Sequence, residues 1–438
     1  MTQGSHHPND EEGIHMKPRW QALRSGLGLL VVLGFILALS IAYADAAEPV
    51  VIGWFCDRTG ATQLVGVNLC LGAHDYVRLV NKQGGIGGHP VKLVEVEHGY
   101  EVPRSVEGYE SMKRAGVLSV FSYGTPITYA LTPRYNDDKI SAITPGFGRA
   151  DATDGKRFPY IFPVAASYWS QAAAAVKFVL DAWKKTGKQP KDLKLAYVFY
   201  DNPAGREPVP ILERLAKQEG FQMRTFAVPP PGLEMGAAAL DIARRFRADW
   251  TITHLFGRSP SVSIKELNKA GYPMNRVVSL VWGAAEPDAD AAGWDITQGY
   301  YGLQFAGVGQ EFPVIQDIIK MYKDEGQEPP EPLSRSSVYY NRGVFAAALQ
   351  VEAVRQALEK FGEPVSGETV KKGFESIKNF TLGGLVPPME ITEDDHEGGG
   401  WVRIYQVKDR KWVPVTDWFT GYREVVWELV KEAAAKGE

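Results

Sequence analysis

Cysteine is almost missing from this chain: 438 residues carry two, Cys56 and Cys70. That excludes a metal site built from clustered thiolates. Histidine is sparse as well, and His74, His89, His98 and His254 stand at unrelated positions. His254 falls at a predicted strand end and reads as a satisfied core or rim histidine. There is no H-E-x-x-H, no P-loop, and no nucleophile-elbow context around Ser119, Ser122 or Ser141. Asp394-Asp395-His396-Glu397 has metal-ligating residue types, yet it sits in a glycine-flanked loop and reads as a solvated turn. A formal charge of −4 without a basic stripe argues against nucleic acid as the main partner. No catalytic residue, metal or cofactor is expected.

Long apolar runs are also lacking, with one exception. Lys17, Arg19 and Arg24 precede an uncharged stretch from Gly26 to Ala44, which closes on Ala44-Asp45-Ala46. A positive segment, an apolar segment and an A-x-A site make a secretory signal. Residues 1–46 are therefore assigned to a signal-peptide region, with Met16 as the start, and the mature chain to the periplasm. An uncleaved anchor is the alternative, since the run nearly spans a bilayer. Export turns the isolated cysteine pair toward a Cys56–Cys70 disulfide, with two buried thiols as the other reading.

What the chain does contain is regular. Strand-like apolar runs (Val50–Phe55, Val91–Val96, Val117–Phe121, Ile140–Ile143) alternate with helical patterns, which predicts α/β architecture with a parallel sheet. A second series of the same kind runs from Leu195 to Trp282. Helices are expected over Phe312–Asp324 and Tyr340–Phe361, then a hairpin from Trp401 to Val415 and a closing helix. Gly84-Gly85-Ile86-Gly87-Gly88 follows a helix and precedes a strand, the reverse of a dinucleotide-binding loop, so it is a turn.

Small, polar or aromatic residues recur at the strand ends. The first series offers Gln63, then Tyr123, Gly124 and Thr125, then Gly146, Phe147 and Gly148. The second offers Asn202, Phe256 and Trp282. Thr125 suits a helix N-cap and Pro126 the first helical position, giving a place where anions are stabilised. If two α/β units face each other by these ends, the residues line one cleft, the geometry of a hinged clamp.

The chain resembles the periplasmic solute-binding proteins of branched-chain amino acid type ABC importers. The resemblance rests on the signal, Val51-Ile52-Gly53 with Thr59-Gly60, Val80-Asn81 with the glycine-rich turn, and Ile143-Thr144-Pro145. Gln171, Ala248-Asp249 and Lys269-Ala270-Gly271-Tyr272 extend it. It implies a type I bilobal fold of two parallel-sheet α/β domains joined by three crossovers, near Ala165, Tyr300 and Glu397. Residues 47–165 with 301–397 would form lobe 1, and 166–300 with 398–438 lobe 2. It further implies a monomer that passes its ligand to permease and ATPase subunits.

In amino-acid-binding members the resemblance assigns the ligand carboxylate to the position of Thr125 and to a hydroxyl where this chain has Gly148. The ammonium would meet the Gly146 carbonyl and an acidic residue where this chain has Trp282. The usual rings of the first loop and of the second lobe fall on Val65 and Ala204, while Phe256 keeps a ring. Burying an ammonium without a carboxylate partner is costly. The expected ligand is therefore a carboxylate with an apolar or aromatic body, not a standard α-amino acid. The alternatives are a quaternary ammonium caged by Tyr123, Phe147, Phe256 and Trp282, and a sensor component using the same clamp. An enzyme is disfavoured by the missing nucleophile–base pair.

Overall fold

Near-continuous apolar runs, such as Val50–Cys56, are what a strand buried on both faces requires. In the computed structural model, which describes residues 47–335 and 337–436, they form two sheets. The expected signal-peptide region lies outside the described residues. Among the described residues no helix is long and apolar enough to cross a membrane.

The first sheet contains β1 (Val50–Cys56), β2 (Val91–Glu97), β3 (Ser119–Phe121), β4 (Ser141–Ile143) and β5 (Ile161–Phe162). Its order is β2-β1-β3-β4-β5, and every pairing is parallel. The second holds β6 (Lys194–Tyr200), β7 (Gln222–Val228), β8 (Trp250–His254), β9 (Val277–Ser279), β10 (Tyr301–Gln304), β11 (Arg403–Lys408) and β12 (Lys411–Pro414). Its order is β12-β11-β10-β9-β8-β6-β7. Only the pairings β10–β11 and β11–β12 are antiparallel, and the latter is the expected hairpin.

Several expectations shift. The boundary drawn at 300/301 falls too early, because Tyr301–Gln304 pairs with β9 and β11 inside the second sheet. The chain returns to the first unit only after Gln304, where helix Pro313–Asp324 packs on helix Gln63–Lys82. The helix expected from Met235 to Arg247 is an α-turn, Gly236–Leu240, that continues as a wider π-type segment, Asp241–Phe246. The acidic turn before the hairpin is only partly solvated. Asp394 is exposed, but His396 and Glu397 are fully buried. Glu397 accepts from Ser167 N–H at 2.6 Å and pairs with Arg423, while His396 bonds Ile161 O at 2.8 Å and Glu375 at 3.1 Å. These groups fasten the segment where the chain crosses between the two units.

Helix Gln63–Lys82 and helix Ser337–Phe361 meet through glycines. A Cβ on Gly72 would strike the Tyr340 carbonyl, and one on Gly343 would strike that of Leu69. Backbone contact this close admits no side chain at either position. Beside it, buried Asp75 accepts from the hydroxyls of Tyr322 and Tyr340, each at 2.6 Å. One carboxylate thus ties three helices together. Cys56 and Cys70 are joined as a disulfide between β1 and the first helix.

Candidate ligand-binding site

The loops at the carboxyl ends of the two sheets meet around a small, partly open cavity of about 10 Å³. The first unit supplies Thr62, Val65, Tyr100, Tyr123 and Phe147 to its wall. Tyr168, Phe256 and Trp282 close it from the other side. Phe147 and Trp282 stack with centroids 4.3 Å apart and planes 8° from parallel. Tyr100 reaches Phe256 at 6.0 Å, and both rings also border a larger outer recess of about 330 Å³ that includes Tyr200 and Asn202.

The expected site residues divide accordingly. Tyr123, Phe147, Phe256 and Trp282 come together in the cavity wall. Asn202 belongs to the outer recess, where its side chain accepts from Gly205 N–H at 3.0 Å and caps helix Pro203–Arg206. Gln63 is exposed and contributes no wall; its neighbour Thr62 does, because the helix starting at Gln63 turns that side chain outward. Thr125 is not the N-cap. Gly124 holds that place and Thr125 is the first helical residue, with its hydroxyl accepting from Gly148 N–H at 3.1 Å. Gly124 packs against the Tyr100 ring, and Gly146 against that of Phe305.

The polar groups that could meet a zwitterion are already paired. The Gly146 carbonyl accepts from Trp282 Nε1–H at 2.6 Å and from Gln171 Nε2–H at 3.2 Å, which uses both of its lone pairs. Thus the ring at the position of the missing acid also covers the carbonyl. The Tyr123 hydroxyl lies 2.9 Å from Thr62 Oγ1, which in turn donates to Asp57 at 2.6 Å.

Glu207, which follows β6, reaches into the loop after β4. Its Oε1 accepts from Ala150 N–H at 2.6 Å, while Oε2 is sealed from solvent without a partner. Burial, reinforced by Asp151 and opposed by the Ala150 N–H and Arg149, pushes this carboxyl up to about 8. Nearby, burial holds His98 down at about 4 and His254 at about 3, so both imidazoles are neutral at neutral pH. Each has an unpartnered Nε2. His254 is therefore buried, but only half satisfied, with Nδ1 3.3 Å from the Tyr197 hydroxyl.

Behind Trp282 lies a buried ionic cluster that the motif reading missed. The Arg342 guanidinium sits 4.9 Å from the Trp282 ring and 4.8 Å from that of Phe305, and donates to Val281 O at 2.7 Å and to Gln304. The Tyr339 hydroxyl bridges Trp282 O and Asp288 Oδ2, each at 3.0 Å. Glu286 accepts from Ser337 N–H and Val338 N–H, both at 3.2 Å, at the start of helix Ser337–Phe361. Burial raises both carboxyls and lowers the guanidinium. The cluster fixes the plane of Trp282 from behind.

Tyr100 and Tyr168 were also missed. Both stand beside loop or helix starts, where strand-end reasoning could have reached them; Glu207 lies one residue beyond the loop Asp201–Arg206.

Residues 49–411 match the family described as Periplasmic binding protein. A Leu/Ile/Val-binding protein homolog 7 of Brucella suis biovar 1 (strain 1330) is 22% identical over 372 residues, covering 78% of this chain and 90% of the relative. A solved structure described as an ABC transporter permease from the Pseudomonas fluorescens group superposes with a TM-score of 0.79 at 31% identity, covering 89% of this chain and 96% of that one. A branched-chain amino acid ABC transporter protein from Thermus thermophilus, solved with valine, has a TM-score of 0.75 at 23% identity over 87% and 98% of the two chains. With its two parallel-dominated α/β sheets and a cavity between their loop ends, the chain belongs to the periplasmic binding protein family, in the type associated with branched-chain amino acid ABC transporters.

Proposed function

We infer that this substrate-binding protein captures a small ligand with an apolar or aromatic body, and not a standard α-amino acid, in a cleft that closes about its crossovers. It then presents that ligand to a permease and ATPase in the inner membrane. One observation carries the ligand reading: the Gly146 carbonyl, the acceptor an ammonium would need, is covered by the Trp282 indole N–H at 2.6 Å. An α-ammonium brought into this cavity would lose water and find rings in its place, a cost of several kcal/mol. A thermal-shift screen of the mature protein tests it. Aromatic and aliphatic compounds lacking the α-amino group should stabilise the protein, and stabilisation by leucine or valine in their stead would overturn the reading.

The second reading, a quaternary ammonium, gains support from the rings. Tyr123, Phe147, Phe256 and Trp282 all border the cavity, joined by Tyr100 and Tyr168. A methylated ammonium needs no hydrogen-bond acceptor and is attracted by ring faces, worth roughly 0.5–2 kcal/mol per contact. Choline stabilising the wild type but not Trp282→Ala would favour it; no response to choline would remove it.

A further inference from the structure

Gly148 and Glu207 are complementary in shape. A Cβ on residue 148 would collide with Glu207 Oε2, so the carboxylate of one unit fills the space that a side chain on the other would occupy. The same carboxylate takes the Ala150 N–H, and Thr125 Oγ1, beside it, takes the Gly148 N–H. The place at the start of helix Thr125–Asp138 that could receive an anion is therefore already filled by a carboxyl group supplied by the chain, one that burial keeps protonated up to about 8.

We propose that Glu207 is a specificity-determining residue, an internal carboxyl group that fills the anion position beside the cavity and restricts the protein to ligands carrying no anionic group. This rests on the reading of an apolar-bodied ligand and narrows it, replacing the carboxylate head expected from the sequence with a neutral or cationic one.

The hydrogen-bond inventory supports it. A ligand carboxylate needs donors, and three beside the wall are already used: Gly148 N–H on Thr125, Ala150 N–H on Glu207, Trp282 Nε1–H on Gly146 O. The Gln171 amide donates to Gly146 O and to Ala166 O. The unpartnered Nε2 atoms of His98 and His254 sit on neutral rings, the unpartnered Nε of Arg342 lies behind Trp282, and none of the three residues borders the cavity. Arg149, whose charge acts on Glu207, is held by Asp151 at 2.8 Å through Nε and stacks on Phe158 at 4.1 Å. An incoming carboxylate would lose its water and find the place best suited to it already filled by the Glu207 side chain.

Two measurements test this. The first is chemical rescue: Glu207→Ala frees the Ala150 N–H and leaves a carboxylate-sized space. Acetate should raise the melting temperature of Glu207→Ala saturably, relative to chloride at equal ionic strength, and leave the wild type unmoved. Equal effects on both proteins, or none on either, overturn the proposal. The second uses the wild type alone, so it stands even where the alanine variant does not fold. Phenylacetamide and hexanamide should bind at least about tenfold more tightly than phenylacetate and hexanoate. Carboxylates binding as well as their amides overturn the role of Glu207 and leave the apolar-ligand reading intact, whereas leucine binding in preference to every member of both pairs overturns that reading itself.

Discussion

Glu207 Oε2 stands where a side chain on residue 148 would have to begin, so glycine at 148 and glutamate at 207 are two halves of one contact between the units. Gly148→Ala should displace the carboxylate and cost about 1–3 kcal/mol, the usual range for an overpacked interior. The same substitution in Glu207→Ala should cost far less. Urea unfolding of the four proteins gives the coupling directly. Additive effects would mean the two residues do not share the space.

The carboxyl of Glu207 also predicts a pH dependence. Its folded-state value, about 8, lies above the ordinary 4.5, so the folded protein holds the proton more tightly than the unfolded chain. The stability this group contributes is complete below about 4.5 and is lost as pH rises through about 8. Wild type minus Glu207→Gln, followed by urea unfolding, should therefore fall across that window. Glu286 and Asp288 shift in the same direction but are common to both proteins and cancel in the difference. Asp151 and Arg149 face Glu207, and their coupling to it is part of the difference read. A difference that stays flat with pH would show the carboxyl is not buried as described.

Trp282→Phe keeps a ring against Phe147 and removes one donor from Gly146 O, which retains Gln171. The expected loss is about 1 kcal/mol of stability. Uncovering the carbonyl should in addition let amine-bearing ligands gain affinity relative to wild type. Calorimetry with leucine on both proteins reads this; no gain on Trp282→Phe would mean the indole N–H does not exclude the ammonium.

The disulfide between Cys56 and Cys70 closes a loop with a sequence separation of 14, for which chain entropy predicts about 3 kcal/mol. Reductant should lower the melting temperature by several degrees, and mass spectrometry should show two additional hydrogen atoms. An unchanged mass under reduction would mean the thiols were never joined.

Arg342→Met leaves Asp288 and the Gln304 carbonyl without their cation and takes the charge from behind Trp282. A broken buried ionic cluster costs about 3–5 kcal/mol. Arg342→Lys should recover only part, since a point charge cannot serve Val281 O and Gln304 as the guanidinium fork does. Full stability in Arg342→Met would show the cluster to be neutral in its net effect.

The sequence by itself determined the alternation of strands and helices, the parallel sheets, the family, and the four rings that border the cavity. Those features follow from local periodicity and from residues fixed at strand ends, both of which are written along the chain. It misplaced what depends on pairing at a distance. Tyr301–Gln304 joined the second sheet because β9 and β11 flank it, and His396 with Glu397 went into the interior because Ser167 and Arg423 were there to meet them. Of the first loop's residues Thr62 faces the cavity and Gln63 faces solvent, through the rotation of one helix start. Most of all, only the tertiary structure decided that Gly148 is an occupied position and not an empty one. A missing side chain reads as a lost donor in sequence, whereas in space it is the room that Glu207 requires, and no local pattern links residues 148 and 207.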